Sequence, residues 1–264
     1  MRDMTGGGVL VVTAHPDDET LIAGGVLAAC SAAGLDTGVL CLTRGEHGPI
    51  ADPALATRST LGELREAELR AACADLGVSW VKCYRREDAH LPWTNSTAVA
   101  RQIARAIHAR SPRAVITFGA DGLYHHPDHI AVHRFTHRAL GLVAEHSPRL
   151  RPWLYEAVWH ANRVVQLTRS MTERGLPSGL WGIAPADFGV EHADEAIKVD
   201  VRPFLDRKLS ALLRHRSQLD PGHLFSALPA DLAERHLGWE QFQRVRPGRT
   251  ATDWLTATVE AARE

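Results

Sequence analysis

Hydrophobic residues in the first half of the chain alternate between short unbroken runs and helical spacing. The run VLVVTA at 9–14 is typical of a strand buried on both faces, as in a parallel sheet. Residues 20–33 follow with apolar side chains at helical spacing and stop before Gly34, which predicts a helix ended by glycine. The alternation then predicts strands near 37–42, 78–83 and 113–118, and helices near 58–76 and 97–110. This pattern indicates an α/β fold with a Rossmann-like, mostly parallel sheet, helices on both faces and strand order 3-2-1-4.

The second half of the chain is less regular. Residues 151–160 predict a further strand, and residues 161–196 show no clear period, with Gly and Pro scattered through them. We expect that stretch to form loops and short strands that wall or cover a site. Residues 202–217 predict a helix, and residues 229–262 predict helix with a short strand near 241–245.

Overall charge narrows the classes of partner. The 30 Lys and Arg residues balance 31 Asp and Glu, a formal net charge of -1, so no global field attracts nucleic acid or an anionic membrane. Residues 1–8 lack the apolar segment of a signal peptide, and no window offers the roughly 18 apolar residues of a membrane span. We therefore expect a cytoplasmic protein that acts on a small molecule, and we leave homo-oligomerisation open.

Cysteine and histidine differ in what they indicate. The cysteines form no CxxC pair and are predicted to be reduced core thiols: Cys30, Cys41, Cys73 and Cys83. The 15 histidines matter more, because histidine is the commonest metal ligand and the usual acid or base at neutral pH. Isolated histidines are expected to be structural, namely His137, His146, His160 and His236.

The segment AHPDDE at 14–19 places an imidazole and three carboxylates directly after the first predicted strand. Like charges crowded into a partly desolvated crevice repel one another, and a divalent cation relieves that repulsion. Pro16 stiffens the turn, so His15 and Asp18 can face one point while Asp17 lies beside it. A metal ion there would activate water, and a free carboxylate could take its proton. The alternative is a helix N-cap, because Asp17 or Asp18 before an apolar helix also describes an ordinary helix start.

A second polar segment, DGLYHHPDH at 121–129, follows the fourth predicted strand and opens a helix, with Pro127 suited to the first helical position. His129 would lie in the first turn and His133 one turn further along the same face. The segment should face the first cluster across a crevice, since neighbouring parallel strands end at one edge of the sheet. A histidine and a carboxylate from one cluster and a histidine from the other would make a three-ligand site with room for water. We do not expect His125 to be a ligand.

The two motifs, AHPDDE at 14–19 and HPDH at 126–129, are similar to the paired signatures of the LmbE/PIG-L family of zinc-dependent N-deacetylases. Weaker similarity extends over most of the chain, in TRGE at 43–46, LREAELRAACADLG at 64–77 and KLSALLRHRSQ at 208–218. The family includes the N-acetylglucosaminyl-phosphatidylinositol deacetylase and the deacetylase and amidase of the mycothiol and bacillithiol pathways.

Position by position, the resemblance implies roles for the matching residues. The implied zinc ligands are His15, Asp18 and His129. The implied catalytic residues are Asp17 as general base, His126, Tyr124 and Asp128. A positively charged His126, oriented by Asp128, would stabilise the oxyanion, and Tyr124 would help to polarise the carbonyl. The implied substrate-binding residues are Arg65, Asp88 and Glu46.

Two positions depart from the family pattern. His125 stands where a small residue, often Gly, is usual, and His90 replaces a Gly expected after Asp88. Both changes are expected to narrow or re-polarise the pocket.

Together these observations predict a metal-dependent hydrolase that removes an N-acyl group, acetyl in the first instance, from an amino sugar or a sugar-containing small molecule. The resemblance implies Zn²⁺ as cofactor, with Fe²⁺ as the alternative. Residues 1–264 would form a single LmbE/PIG-L-like domain. Within it, residues 1–150 would form the Rossmann-like core with the metal site, and residues 151–264 a substrate-shaping portion.

Three alternatives are weighed against this function. The nearest is an amidase that cleaves a thiol conjugate or a natural-product precursor. A non-catalytic metal- or ligand-binding protein is more remote, because a structural site is commonly closed by a fourth ligand such as Cys, and no Cys lies near either motif. A nucleotide-binding Rossmann protein is excluded, since the turn HPDDET at 15–20 would repel a pyrophosphate and the glycines at 6–8 precede the strand.

Overall fold

A seven-stranded sheet organises the fold in the computed structural model of the chain. The structure describes residues 7–190, 196–246 and 253–263. Predictions for residues 1–6, 191–195, 247–252 and 264 lie outside the described part of the chain. The strands are β1 (Val9–Thr13), β2 (Thr37–Thr43), β3 (Trp80–Arg86), β4 (Ala114–Phe118), β5 (Trp153–Ala157), β6 (Ile197–Asp200) and β7 (Trp239–Arg246).

The sheet has the order β3-β2-β1-β4-β5-β7-β6. Strands β1 to β5 pair in parallel, and β7 runs antiparallel to both of its neighbours, β5 and β6. The predicted order 3-2-1-4 is confirmed. Strands β1 and β4 are neighbours, paired from Val9 with Ala114 to Val11 with Ile116, so their carboxyl ends open side by side.

Helices cover the sheet in two layers. They are α1 (Asp18–Ala32), α2 (Leu61–Leu76), α3 (Ser96–Arg110), α4 (Gly122–His125), α5 (Pro127–His146), α6 (Ala161–Glu173), α7 (Leu205–Leu212), α8 (Ala230–Leu237) and α9 (Trp254–Ala261). Helices α3 and α5 pack together, and α1 packs with α2, α7 and α9. Strands β1, β2 and β4 are buried along their whole length, which explains their unbroken apolar sequences. The predicted α/β class is confirmed.

Helix α6 corrects the prediction that residues 161–196 form only loops and short strands. The buried side chains of Val164, Leu167 and Met171 recur at helical spacing and face the core. The other positions of this helix are mainly polar, so the apolar stripe is narrow and hard to recognise in the sequence.

The helices predicted in the last third of the chain are interrupted. The predicted helix 202–217 is wrong in extent, since only α7 is α-helical and a single 3₁₀ turn lies on either side. Helix α7 ends at Leu212, and within the 3₁₀ turn that follows, Ser217 donates hydrogen bonds to Glu68. In the stretch 229–262, β7 is longer than the strand expected at 241–245 and separates α8 from α9.

All four cysteines are buried and unpaired, as predicted for core thiols. Cys30, Cys41 and Cys73 have no solvent exposure. In the part of the chain that the structure describes, no helix combines the length and the apolar character needed to cross a membrane.

Candidate metal centre and catalytic cavity

The two polar motifs of the sequence meet at the carboxyl ends of β1 and β4. His15 and Asp18 follow β1 directly, while His126 and His129 lie where the chain enters α5. Because β1 and β4 are adjacent parallel strands, both turns open on one crevice. The ring centroid of His15 is 4.9 Å from that of His126 and 5.2 Å from that of His129.

Donor atoms of three residues converge in this crevice, one nitrogen from each of two histidines and both oxygens of Asp18. His129 Nε2 is 3.3 Å from His15 Nδ1 and 3.2 Å from Asp18 Oδ1, and His15 Nδ1 is 3.5 Å from Asp18 Oδ2. A tetrahedral ion about 2.0–2.1 Å from its ligands holds neighbouring ligand atoms about 3.3–3.4 Å apart. Only 8% of His15, 3% of Asp18 and 1% of His129 is exposed. The donor set therefore fits one divalent ion.

His126 could replace Asp18 as the third ligand beside His15 and His129. Its ring comes close enough for one nitrogen from each of His15, His126 and His129 to lie within 4.8 Å of one another. Asp18 remains the better third ligand, because it is anionic and presents one oxygen toward each of the other two histidines.

Hydrogen bonds to the remaining ring nitrogens fix the orientation of both histidine ligands. His15 Nε2 lies 3.0 Å from Asp88 Oδ1 and 3.3 Å from Asp128 Oδ2. His129 Nδ1 lies 3.1 Å from the carbonyl oxygen of Gly122. Carboxylate and carbonyl partners of this kind select the tautomer that points a lone pair at a metal ion.

Negative charge exceeds positive charge around His15. Its ring lies within 3.5 Å of three carboxylates, those of Asp18, Asp88 and Asp128. Burial alone would lower the pKa of His15, but hydrogen bonds to these carboxylates raise it well above its ordinary value. Burial would raise the pKa of Asp18, but His129 and His15 lower it well below the usual range. The surplus of carboxylates favours a bound cation.

Asp17 occupies the N-cap position of α1, but its side chain makes no capping hydrogen bond. Its φ of 108° is strained for a residue other than glycine and costs about 1–3 kcal/mol. Arg65 holds the carboxylate instead: its Nη2 donates to Asp17 Oδ2 at 3.0 Å and to the carbonyl oxygen of Pro16 at 2.7 Å. Burial raises the pKa of Asp17 to about 6, against the lowering effect of Arg65. The side-chain capping alternative is therefore wrong, and Asp17 lines the cavity.

His126 and Tyr124 line the same cavity from the β4 side. His126 Nδ1 accepts a hydrogen bond from the backbone N–H of Asp128 at 3.2 Å, so the ring proton resides on Nε2. Burial, together with the charges of His129 and His15, lowers the pKa of His126 to about 4. This direction favours a neutral ring at neutral pH over the positive charge expected from the sequence. Burial raises the pKa of Tyr124 well above its ordinary value, so its phenol remains a donor.

The carboxylate of Asp128 does not have the contact expected from the sequence. It was predicted to orient His126, but it lies against His15 and accepts hydrogen bonds from the backbone N–H groups of Ala89 at 2.8 Å and Leu91 at 3.1 Å. Asp128 is in the first turn of α5, where its side chain reaches across to the loop after β3. Only its backbone N–H touches His126.

The three predicted substrate-binding residues differ in position. Glu46 is not among the residues that line the cavity, and its Oε1 accepts a hydrogen bond from the backbone N–H of Asp88 at 3.2 Å. Arg65 and Asp88 do line the cavity, yet each also holds a polar residue of the site, Arg65 holding Asp17 and Asp88 holding His15. Glu46 is thus placed to support the loop that carries Asp88.

A cavity of about 240 Å³ opens over these groups. The second half of the chain contributes part of its wall through Trp159, Trp181, Ile183, Phe188 and Gln218. The indole N–H of Trp181 donates to the carbonyl oxygen of Gln218 at 3.1 Å, which fixes that ring at the wall. The stretch 161–196 is predicted to wall or cover a site, and Trp181, Ile183 and Phe188 of that stretch do line the cavity.

The two departures from the family pattern do not reach the cavity. Neither His125 nor His90 is among its lining residues, which contradicts the predicted narrowing, while the predicted change in polarity stays a prediction. His125 is exposed and has a φ of 60°, a conformation that glycine adopts without strain. Ala89, the residue before His90, also has a φ of 60°, so the left-handed backbone conformation in this loop lies at residue 89 and not at His90.

A buried ion pair next to the site was missed by sequence analysis. Glu19 Oε1 lies 2.9 Å from His215 Nε2, and Glu19 Oε2 accepts a hydrogen bond from the backbone N–H of Asp17 at 3.0 Å. Burial would lower the pKa of His215, but Glu19 raises it above its ordinary value. The pair joins the turn after β1 to the segment after α7. Both residues lie in motifs noted above, but no spacing rule connects positions so far apart.

The fold and the site together define an α/β protein with a candidate metal centre beside a cavity. A match to the family described as "PIG-L: GlcNAc-PI de-N-acetylase" covers residues 10–140. The 1D-myo-inositol 2-acetamido-2-deoxy-alpha-D-glucopyranoside deacetylase of Thermobispora bispora is 31% identical over 261 residues, spanning 89% of this chain and 86% of its own. The chain belongs to the PIG-L family.

Two solved structures show how widely the fold is used. N,N'-diacetylchitobiose deacetylase from Pyrococcus horikoshii aligns with a TM-score of 0.64 and 20% identity, over 92% of this chain and 85% of its own. GalB, the 4-carboxy-2-hydroxymuconate hydratase from Pseudomonas putida KT2440, aligns with a TM-score of 0.65 and 20% identity, over 94% of this chain and 99% of its own. At these identities the likeness shows the fold alone. The substrate and the residue roles must therefore be argued from the site.

Proposed function

We propose that this protein removes an N-acetyl group from the amino sugar of a small glycoside, with a divalent metal ion as cofactor. The observation that carries the proposal is the convergence of His15, Asp18 and His129 at a cavity that Asp17 also lines. The relative from Thermobispora bispora is named for a substrate of this class, an inositol-linked acetamido sugar.

We assign Zn²⁺ to the site, with Fe²⁺ second, because two imidazoles and one carboxylate suit both ions. When bound, such an ion polarises a carbonyl group and lowers the pKa of a coordinated water to about 7. His15 would bind through Nδ1 and His129 through Nε2. Their other nitrogens face carboxylates and a backbone carbonyl respectively.

Asp17 is the general base in this proposal. It takes a proton from the attacking water as the water oxygen bonds to the carbonyl carbon, and that proton passes to the amine as the C–N bond breaks. Acetate and the free amino sugar are released. Arg65 is a positioning residue, because it holds Asp17 Oδ2 and the turn at Pro16 through one nitrogen.

His126 and Tyr124 supply hydrogen-bond donors for the negative charge that develops on the carbonyl oxygen. Each offers one group, the Nε2–H of the imidazole and the O–H of the phenol. Donors placed in this way typically contribute about 3 kcal/mol each to the transition state. As a neutral ring, His126 acts here through its N–H and not through a full positive charge.

The cavity wall suits a sugar. A pyranose ring has apolar C–H faces and a polar rim of hydroxyl groups, and the wall combines the aromatic rings of Trp159, Trp181 and Phe188 with the polar groups of Arg65 and Asp88. In this proposal the rings pack on a sugar face, while Arg65 and Asp88 bind its hydroxyl groups. The second half of the chain thus shapes the substrate site.

Acetate release from a panel of substrates tests this function. The panel contains N-acetyl amino sugars, their inositol and disaccharide glycosides, N-acylated glycopeptides and N-acetylated cysteine conjugates. We expect release from the glycosides, loss of release after chelation and recovery with Zn²⁺. Turnover of cysteine conjugates alone would identify an amidase, and metal binding without turnover of any substrate would identify a binding protein; either result contradicts the proposal.

The assignment of the base is tested by Asp17→Asn. We expect the variant to bind one equivalent of metal at this site as the wild type does, while kcat falls about 100- to 10,000-fold, the range typical of a lost general base. Asp52→Asn, at an exposed position, is the matched control and should leave kcat unchanged. Wild-type kcat in Asp17→Asn would remove Asp17 from the mechanism.

A further inference from the structure

A second group of potential metal ligands lies one turn further along α5. His133 and His137 are four residues apart on α5, and Glu156 on β5 faces them. Glu156 Oε1 lies 2.6 Å from His137 Nε2 and 3.3 Å from His133 Nδ1. One donor atom from each of the three residues lies within 4.8 Å of the other two.

The group is separate from the metal centre described above. Phe118 stands between them: its ring stacks on His129 at 4.0 Å, while its carbonyl oxygen lies 3.1 Å from His133 Nδ1. His133, His137 and Glu156 are not among the residues that line the catalytic cavity. The proposed deacetylation does not use them.

The charge on Glu156 needs a positive partner. The residue is only 7% exposed, and a buried carboxylate is costly without a compensating charge. Within the described residues, its ion-pairing partners closer than 4.0 Å are His133 and His137, which are neutral unless protonated. A divalent cation shared by the three side chains would supply the missing charge.

We propose that His133, His137 and Glu156 form a second binding site for a divalent transition-metal ion. Two imidazoles and one carboxylate on one side of an ion suit Zn²⁺, Fe²⁺, Co²⁺ or Ni²⁺. The side chain of His137 is 36% exposed and that of His133 is 15% exposed, so solvent can complete the coordination. Binding requires the 2.6 Å contact between Glu156 and His137 to open to the roughly 3.3 Å between neighbouring ligand atoms. It also requires His133 Nδ1 to give up its hydrogen bond to the carbonyl oxygen of Phe118.

An ion in this second site would join α5 to β5. Helix α5 also carries His129, so the ion would stiffen the helix that holds one ligand of the catalytic metal. We therefore assign the second site a stabilising role. The inference stands on these three residues and does not depend on which substrate the cavity accepts.

Metal stoichiometry tests the second site. Metal-free protein is dialysed against Co²⁺, and bound metal per chain is measured by mass spectrometry with the visible absorption of the complex. We expect two equivalents in the wild type, one in His137→Ala and one in Asp18→Ala. His146→Ala, which removes an exposed histidine of the same helix, is the control and should keep two.

Glu156→Gln provides a near-isosteric second variant, with circular dichroism as the check on folding. It should also bind one equivalent, because the amide lacks the charge that attracts the ion. One equivalent in the wild type with no change in either His137→Ala or Glu156→Gln would overturn the proposal. So would two equivalents in folded His137→Ala.

Discussion

Two clusters of two histidines and one carboxylate lie within a turn of each other along α5, and they differ in what surrounds them. The first cluster comprises His15, Asp18 and His129, which are almost completely buried at an open cavity. The second cluster comprises His133, His137 and Glu156, with its histidines partly exposed between α5 and β5. In the first cluster, the carboxylates of Asp88 and Asp128 contact His15 Nε2, the ring nitrogen that does not face the metal position. In the second, a backbone carbonyl contacts His133.

The comparison shows that a set of metal ligands does not define a catalytic site. Three further groups line the cavity beside the first cluster. They are the carboxylate of Asp17, which Arg65 holds, and the hydrogen-bond donors of His126 and Tyr124. These are the parts that hydrolysis of an amide needs besides a metal ion: a base, charge stabilisation and room for substrate. We propose that the second cluster also holds an ion, but in the part of the chain that the structure describes, none of its three residues lines that cavity.

The largest expected difference is in turnover. Asp18→Ala removes the anionic ligand of the first cluster, and the lost stabilisation of several kcal/mol should lower kcat/KM about 1,000-fold or more. Glu156→Gln, which changes the corresponding carboxylate of the second cluster, should leave kcat/KM close to the wild-type value. Steady-state deacetylation assays at saturating Zn²⁺ measure both. Equal losses in the two variants would mean that the clusters act as one catalytic unit.

A smaller effect, on metal affinity, is expected from substituting a carboxylate that contacts His15 Nε2, as those of Asp88 and Asp128 do. Asp128→Asn should weaken metal binding at the first cluster about 10- to 100-fold, because the amide no longer holds His15 Nε2 by charge. Competition with a coloured chelator measures this affinity, and kcat at saturating metal should fall less than the affinity does. Asp231→Asn, on an exposed surface ion pair with Arg174, is the control. Unchanged affinity in Asp128→Asn would leave Asp128 with a purely structural role.

The parts of this site that could be predicted from sequence are those set by strand order. The unbroken apolar runs identify β1 and β4, and their predicted adjacency places the residues after each strand on one crevice. Strand order thus predicts that the motif at 14–19 and the segment at 121–129 share a crevice, and the family resemblance implies His15, Asp18 and His129 as the ligands within it. The helical spacing also predicts His133 one turn after His129 on the same helix, but it predicts no second cluster, and His137 was expected to be structural.

What could not be predicted depends on side-chain direction and burial. The carboxylate of Asp128 points to the loop after β3 and not toward His126, and this direction follows from how that loop folds over α5. The lowered pKa of His126 comes first from burial and then from His129 and His15, and His15 belongs to a distant segment of the chain. The partnership of Glu19 with His215 joins distant parts of the chain, and helical or strand periodicity carries no signal for it.

The smallest expected effect is on the stability of metal-free protein. With chelator present, Glu156→Gln should lower the free energy of unfolding by about 1–2 kcal/mol, since it weakens charge-assisted hydrogen bonds to His133 and His137. Glu145→Gln, at an exposed position of α5, is the control. In urea titrations with Zn²⁺ present, the difference between wild type and Glu156→Gln should grow, because an ion that binds only the folded wild type at this site adds to its stability. If the difference is the same with and without Zn²⁺, the second cluster is an ordinary hydrogen-bonded group, and only the first binds metal.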